Sequence, residues 1–239
     1  MRFILIGRGK MGRLIQETAR SAGDEIEAAF GRDDLDQLGK LGKVADVVID
    51  FSRPEALGEV VSYVRRTGTP LLSGVTGYTP DQLQALESLG TAAPVLWSAN
   101  YSLGVAVLAR ALRVIAPVLG QDFDIEITET HHNQKADAPS GTAKLLLEAM
   151  DPQHRLRPVY GREGSVGRRE KNEVGIHALR GGTVAGTHTV HFFGPDEELE
   201  LTHRAASRRI FVNGALHMAH LLPGRPNGVY DLQKILFGE

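Results

Sequence analysis

The sequence predicts an α/β protein built on a doubly wound parallel sheet, and three features carry that expectation. Short apolar runs alternate with helical patterns through residues 1–100. A glycine-rich loop, GRGKMG, directly follows the first of those runs. Beyond Leu119 the pattern becomes one of alternating apolar and polar residues, which marks a second part of different construction.

The strands expected in the first part are Arg2–Ile6, Glu25–Phe30, Asp46–Phe51, Pro70–Ser73 and Pro94–Ser98. Several are continuously apolar, as in a parallel sheet covered on both faces. Helix starts between them are chemically marked. Ser52 and Glu55 stand at capping-box spacing with Pro54 in the first turn, and Thr79, Pro80 and Gln82 repeat the signal. Leu103 to Val118 is apolar but broken by Arg110 and Arg113, which predicts a buried helix rather than a membrane span. DFDIEITETHH, HTVHFF and EELELTHRA then read as half-exposed antiparallel strands. In the last, Leu199, Leu201 and His203 share one face. The charged, glycine-rich GREGSVGRREKNEVG reads as a mobile loop. The final segment, from NGALHMAH onward, returns to helical spacing and is expected to pack on the first part.

Composition bounds the chemistry. The 239 residues suffice for one large domain or two modest ones, and 42% hydrophobic with 23% charged content is ordinary for a globular protein. A formal charge of −2 provides no overall pull toward nucleic acid or an anionic membrane. Without cysteine there are no disulfides, thiolate catalysts or cysteine-ligated metals. The apolar run before the first glycine is too short for a signal-peptide core, so a cytoplasmic location is expected.

In GRGKMG, Gly7 permits the tight turn, Gly9 lets a pyrophosphate approach, and Gly12 lets helix and strand pack closely. The amides at the helix start then face the anion, as in a Rossmann-type dinucleotide site. The bland alternative is a glycine turn that binds nothing. At the tip of the second strand, AAFGRDD, Gly31 stands where a ribose-binding carboxylate is expected, and Arg32 follows. An arginine there accepts the 2′-phosphate of NADPH, which a carboxylate repels. The alternative is that Arg32 is a solvated loop charge and Asp33 or Asp34 reaches the ribose. SGVTGYT and WSANYS follow later strand ends, where such a sheet holds its ligands.

The densest cluster is ETHHNQKADAPSGTA, residues 129–143. His131 and His132 end a strand, so both serve one site only if the chain turns there. Ser140 is a candidate helix cap, leaving the Gly141 and Thr142 amides at a helix start suited to a carboxylate, with Lys135 six residues upstream of Gly141. Histidine exchanges a proton near neutral pH, and lysine donates one or holds a carboxylate. These are parts for a small anionic substrate. A metal site is the weaker functional alternative, because no third ligand stands at usual spacing; a solvated histidine pair is the structural one. His188, His191, His217 and His220 read individually as packing or surface residues.

These residues resemble the 4-hydroxy-tetrahydrodipicolinate reductase (dihydrodipicolinate reductase, DapB) family. The likeness runs from GRGKMG through VVIDFSRPE, SGVTGYT, SANYSLGV and ETHHNQKADAPSGTA to THRAASRRIFVNGA, nearly the whole chain. It implies a Rossmann-type domain over 1–102 and 208–239. It also implies an α+β substrate and tetramerisation domain with a mixed open sheet over 103–207. The implied reaction is reduction of a small cyclic dicarboxylate by NADPH or NADH, with water lost, in lysine and diaminopimelate biosynthesis. The implied partners are substrate and further copies in a homotetramer, with neither nucleic acid nor membrane. By that likeness His131 is the proton donor/acceptor and Lys135 a proton donor, while His132, Gly141 and Thr142 hold substrate, and no metal takes part. Cofactor contacts would come from Gly7, Arg8, Gly9, Lys10, Met11, Gly12 and Arg32, from Gly74, Val75 and Thr76, and from Ser98, Ala99, Asn100 and Tyr101. Two departures stand out: the glycine loop is one residue shorter than in many members, and the acidic residue at the second strand's tip is missing.

Overall fold

A computed structural model describes residues 1–238. In chain order its first elements are β1 (Arg2–Ile6), α1 (Lys10–Ser21), β2 (Glu25–Phe30), β3 (Val47–Asp50), α2 (Leu57–Thr67), β4 (Leu71–Ser73), α3 (Pro80–Leu89) and β5 (Pro94–Trp97). There follow α4 (Leu103–Leu119), β6 (Asp124–His131), α5 (Gly141–Met150), β7 (Arg157–Tyr160), β8 (Glu173–Arg180), β9 (Gly186–Gly194) and β10 (Glu197–Ala205). Last come α6 (Arg209–Leu221), β11 (Gly228–Tyr230) and α7 (Leu232–Phe237). Two compact units result. One is Met1–Ser102 with the chain from Arg209 onward; the other is Leu103–Arg208.

The first unit holds a six-stranded sheet in the order β11-β5-β4-β3-β1-β2, with every pair parallel. Its apolar runs are buried on both faces; β3 and β4 have no exposed residue. α1 turns Gly12, Ile15 and Ala19 inward, at the three- and four-residue spacing of one helix face. β1 lies between β2 and β3, so the chain's travel across the sheet reverses there, and the glycine loop departs from that switch point. The end of the chain places β11 beside β5, and His220 Nε2 lies 2.9 Å from the buried Asp24 carboxylate.

One expected cap forms and the other does not. Thr79 Oγ1 accepts the Gln82 amide at 3.3 Å while Gln82 Oε1 accepts the Thr79 amide at 2.9 Å, a complete capping box for α3. Ser52 caps nothing: a 3₁₀ turn over Pro54–Ala56 precedes α2, without a side-chain cap. The Ser52 hydroxyl and amide both donate to Asp50 Oδ1, at 2.6 and 2.9 Å. Asp50 is wholly buried, and its demand for donors outweighs the helix end's demand for an acceptor.

The second unit holds a five-stranded sheet in the order β10-β9-β6-β8-β7. β6, β9 and β10 are antiparallel neighbours, as their alternation predicts. β8 and β7 add parallel pairs that local pattern did not reveal, and they make the sheet mixed. α4 and α5 cover one face, burying Leu112, Leu146, Ile127, Val174, Val190 and Phe192. α4 is less buried than its composition suggests: Leu108 and Leu112 face the core, but Val107, Val114 and Val118 are exposed. Among the described residues no helix is long and apolar enough to cross a membrane.

The loop between β7 and β8, expected to be mobile, makes ion pairs to β6. Arg162 grips both Glu126 oxygens at 2.8 and 2.9 Å, and Arg169 reaches Asp124 at 2.9 Å. Burial would raise the Glu126 carboxyl, but hydrogen bonds from Arg162, His177 and Arg169 bring it down to about 2. Composition marks such a segment as mobile; it cannot show the acidic groups of β6 that tether it.

Thr79→Ala removes one half of the α3 capping box and should lower unfolding free energy by about 1 kcal/mol. Urea unfolding with an unchanged m-value measures this; an undiminished midpoint would show the cap to be energetically silent.

Candidate active site

The register of the second sheet builds the site. On β6, Ile125, Ile127, Glu129 and His131 are the buried alternates. Phe192, Val190 and His188 of β9 stand opposite Ile125, Ile127 and Glu129. On β8, Val174, Ile176, Ala178 and Arg180 stand opposite Ile125, Ile127, Glu129 and His131. The helix-covered face is therefore apolar for two rows and then turns polar. α5 begins beside that polar end: its cap Ser140 accepts the Ala143 amide on Oγ at 3.1 Å and donates its own amide to Glu129.

Glu129 is only 1% exposed. Arg180 meets both of its oxygens, at 2.8 and 2.9 Å. His131 Nδ1 lies 2.5 Å from Oε2, and the Ser140 amide donates to Oε1 at 3.0 Å. Burial pushes this carboxyl up, but hydrogen bonds from Arg180, His131 and the Ser140 amide more than offset it and hold it below the usual range. His188 Nε2 shares a 2.9 Å hydrogen bond with Ser140 Oγ, and its ring meets His131 edge-on at 5.0 Å. Burial, and next the His131 charge, bring His188 down to about 4, so it is neutral at pH 7.

The chain turns after His131, as a shared site requires. The Lys135 amide donates to the His132 carbonyl at 3.1 Å, and Gly181 and Asn133 tie this turn to the β8–β9 turn. Lys135 Nζ donates to Asp137 Oδ1 at 2.7 Å, while Arg180 also donates to the Asp137 carbonyl. Lys135 is close enough that its charge acts on His188. Gly141 and Thr142 occupy the first turn of α5. Glu129, Arg180 and His188 are members that sequence reasoning missed. The parity of Glu129 with His131 on one strand was the available signal; Arg180 and His188 carried none.

Glu129, His131 and His188 also place three possible metal donors within 4.8 Å. His188, rather than His132, is the second imidazole of that group. A cation there would have to displace the Arg180 guanidinium and the donors that already occupy Glu129, so the donor set suits an ion pair better than a metal.

In the first unit a cleft of about 690 Å³ opens beside the glycine loop, lined by Gly7, Arg8, Gly9, Gly31, Arg32, Phe51, Ser52 and Arg53 among others. Gly7 has φ +105°, and a Cβ on Gly12 would lie 1.8 Å from the Gly7 carbonyl oxygen, so protein packing alone demands both glycines. Gly9 differs: a Cβ there would meet nothing within 4 Å. No protein neighbour requires this glycine, and the space it leaves at the start of α1, beside Lys10 and Met11, is open to an approaching pyrophosphate. The residues therefore fit a dinucleotide. Asp34 is engaged within its own loop, where Arg8 donates to it at 2.5 Å and the Gly31 amide at 2.7 Å, while Asp33 lines the cleft. Arg8 also donates to the Ala29 carbonyl. Phe51, Ser52 and Arg53 were not anticipated in this cleft.

The other anticipated cofactor residues lie at the ends of β4 and β5. Val75 and Tyr101 are both 2% exposed. The Tyr101 hydroxyl donates to the Ser73 carbonyl at 2.7 Å, and the Val75 carbonyl accepts Trp97 Nε1 at 2.9 Å. Both residues thus support the loop geometry more than they offer side chains to a ligand. A Cβ on Gly74 would strike the Phe51 ring at 2.4 Å, so that glycine serves packing. Thr76 is exposed, and Ser98 Oγ is turned back on Asn100.

A glycine loop at the switch point of a parallel sheet, an arginine-lined cleft, and a separate unit with a clamped histidine define a nicotinamide-dinucleotide oxidoreductase. The chain belongs to the dihydrodipicolinate reductase family, matching its N-terminal part over residues 1–101 and its C-terminal part over residues 104–236. A 4-hydroxy-tetrahydrodipicolinate reductase of Exiguobacterium sp. is 39% identical over 98% of this chain and 95% of that protein. Its counterpart in Clostridium tetani is 39% identical over 99% and 97%. Among solved structures, dipicolinate-bound dihydrodipicolinate reductase from Paenisporosarcina sp. TG-14 has a TM-score of 0.81, with 20% identity and 99% of both chains covered. An amine dehydrogenase from Mycobacterium smegmatis shares the fold at TM-score 0.63, with 11% identity over 96% of this chain and 94% of that one. At such identity the structures speak for fold alone.

Asp50 makes the stability of the first unit depend on pH. It lies immediately before Phe51, and burial, only partly offset by Ser52, pushes its carboxyl up to about 6. The folded state then binds this proton more firmly than the unfolded chain does. The stabilisation is complete below the unfolded carboxyl range and is lost as pH rises through about 6. The burden on the ionised form is roughly 3 kcal/mol at most. Asp50→Asn should therefore gain stability relative to the parent by roughly 1–3 kcal/mol between about pH 4.5 and about pH 8. Denaturant unfolding at the two pH values tests this, and an equal difference at both would remove Asp50 from the account.

Proposed function

We propose that this protein reduces 4-hydroxy-tetrahydrodipicolinate to tetrahydrodipicolinate with a nicotinamide dinucleotide, water being lost, in lysine and diaminopimelate biosynthesis. The observation that carries the reading most strongly is the His131–Glu129 pair beside Lys135 and the start of α5. Family membership across both halves of the chain supports it. So does the dipicolinate held by the Paenisporosarcina protein, a planar ring with two carboxylates.

The dinucleotide, when bound, supplies hydride to a ring carbon. The chain's residues do the rest. His131 exchanges the proton destined for the neighbouring carbon, and Lys135 donates a proton or holds a carboxylate against it. His132 and the Gly141–Thr142 start of α5 hold the dicarboxylate, since amides at a helix start favour an anion. Fixing both carboxylates confines the ring to one orientation, which converts an encounter into an aligned reaction.

Gly7, Arg8, Gly9, Lys10, Met11 and Gly12 cradle the pyrophosphate, and Arg32 takes the 2′-phosphate of NADPH with Arg8 alongside. NADH is also a substrate, held less well because Asp34 is engaged by Arg8 and Gly31. The homotetramer forms through the second unit's sheet, on the face opposite α4 and α5, where Leu179 and Phe193 are exposed. The protein acts in the cytoplasm.

Freshly generated 4-hydroxy-tetrahydrodipicolinate with each cofactor should give substrate-dependent loss of nicotinamide absorbance; no oxidation with either would refute the assignment. Lys135→Ala should lower kcat by roughly 10²-fold or more with the NADPH Kd intact, and a parental rate would take Lys135 out of the mechanism. Arg32→Ala should weaken NADPH binding by calorimetry about tenfold while sparing NADH, and equal losses for both would discount the 2′-phosphate contact.

A further inference from the structure

We propose that Glu129 is a positioning residue that presents His131 as a single tautomer, with Nδ1–H held by the carboxylate and Nε2 as the atom that exchanges the proton. The proposal rests on reading His131 as the proton-exchanging group and goes beyond it by assigning the atom and the residue that selects it.

An ionised carboxylate only accepts hydrogen bonds, so at 2.5 Å from Glu129 Oε2 the His131 Nδ1 must be the donor. Glu129 cannot swing to release it. Arg180 holds both oxygens and the Ser140 amide holds Oε1, so two other chain segments fix the carboxylate. His188, neutral and edge-on to His131, confines the ring without adding a second positive charge beside the imidazolium.

The opposite edge of the ring meets bare backbone rather than a side chain. Nε2 makes no hydrogen bond among the described residues and lies against Gly186, the first residue of β9. A Cβ on Gly186 would lie 3.1 Å from Nε2 and 3.4 Å from Cδ2. A side chain there would crowd Nε2 and Cδ2. The carboxylate and the bare backbone thus act on opposite ends of one imidazole. In the reaction the Nε2–H bond of the imidazolium breaks as the new C–H bond forms on the substrate. The ring is left neutral with its proton on Nδ1. No proton passes to Glu129, and solvent restores the one on Nε2.

The direct test uses the full-length protein labelled with ¹⁵N-histidine. Long-range ¹H–¹⁵N correlations report the tautomer of neutral His131, assigned by the signals missing in His131→Asn. The Nδ1–H form is expected; an Nε2–H form in the unaltered protein overturns the proposal without any Glu129 variant. Glu129→Gln keeps the shape but offers an amide to Arg180. It should mix the tautomers and lower kcat by roughly 10²–10⁴-fold, with the NADPH Kd within about twofold of the parent. If His131→Asn is inactive while Glu129→Gln keeps the parental kcat and tautomer, positioning fails and the proton-site reading survives. If His131→Asn itself turns over at the parental rate, both fail.

Discussion

A carboxylate almost wholly removed from water stays ionised only where donors replace the lost hydration, and Glu129 imposes that requirement on the second unit. Arg180 answers from β8, His131 from its own strand, and the Ser140 amide from the start of α5. Ser140 in turn reaches His188 on β9. One charge therefore fixes the relation among three strands and a helix. Loss of any donor would leave buried charge uncompensated, which is far more costly than the loss of a surface pair.

The first unit solves a different problem with opposite means. Its positive groups stand at the surface of a cleft beside the glycine loop. Gly7 and Gly12 let the loop close on the sheet, and Gly9 has open space where a side chain would stand. Asp34 is held by Arg8 and Gly31, while Asp33 lines the cleft. In this unit the charged side chains line an open cleft; in the other they converge on one buried carboxylate.

The fold alone would admit several reactions, since an amine dehydrogenase shares it. What narrows the choice is the cluster at residues 129–143, and its legibility in the sequence was uneven. His131, Lys135 and the cap Ser140 stand within ten residues of one another, so their meeting needs only a turn. His188 and Arg180 arrive from strands far along the chain, and no local pattern announces them. Ser52 shows the converse failure. Its spacing to Glu55 matched a helix cap, but buried Asp50 claimed both of its donors. The arginine-rich loop before β8 looked mobile for the same reason, because its acidic partners lie on β6.

The amino-acid sequence by itself determined whatever depends on neighbours along the chain. That covers the parallel-sheet strands, the glycine turn, the α3 cap and the β6 alternation that puts Glu129 and His131 on one face. Backbone sterics and side-chain parity act over a few residues, so they can be read there. Only the tertiary structure decided which charges meet: Arg180 with Glu129, Arg8 with Asp34, Ser52 with Asp50. The desolvation cost of a buried or half-buried charge is met through space by whichever donor the folded sheet brings to it, and the order of residues along the chain does not encode that distance.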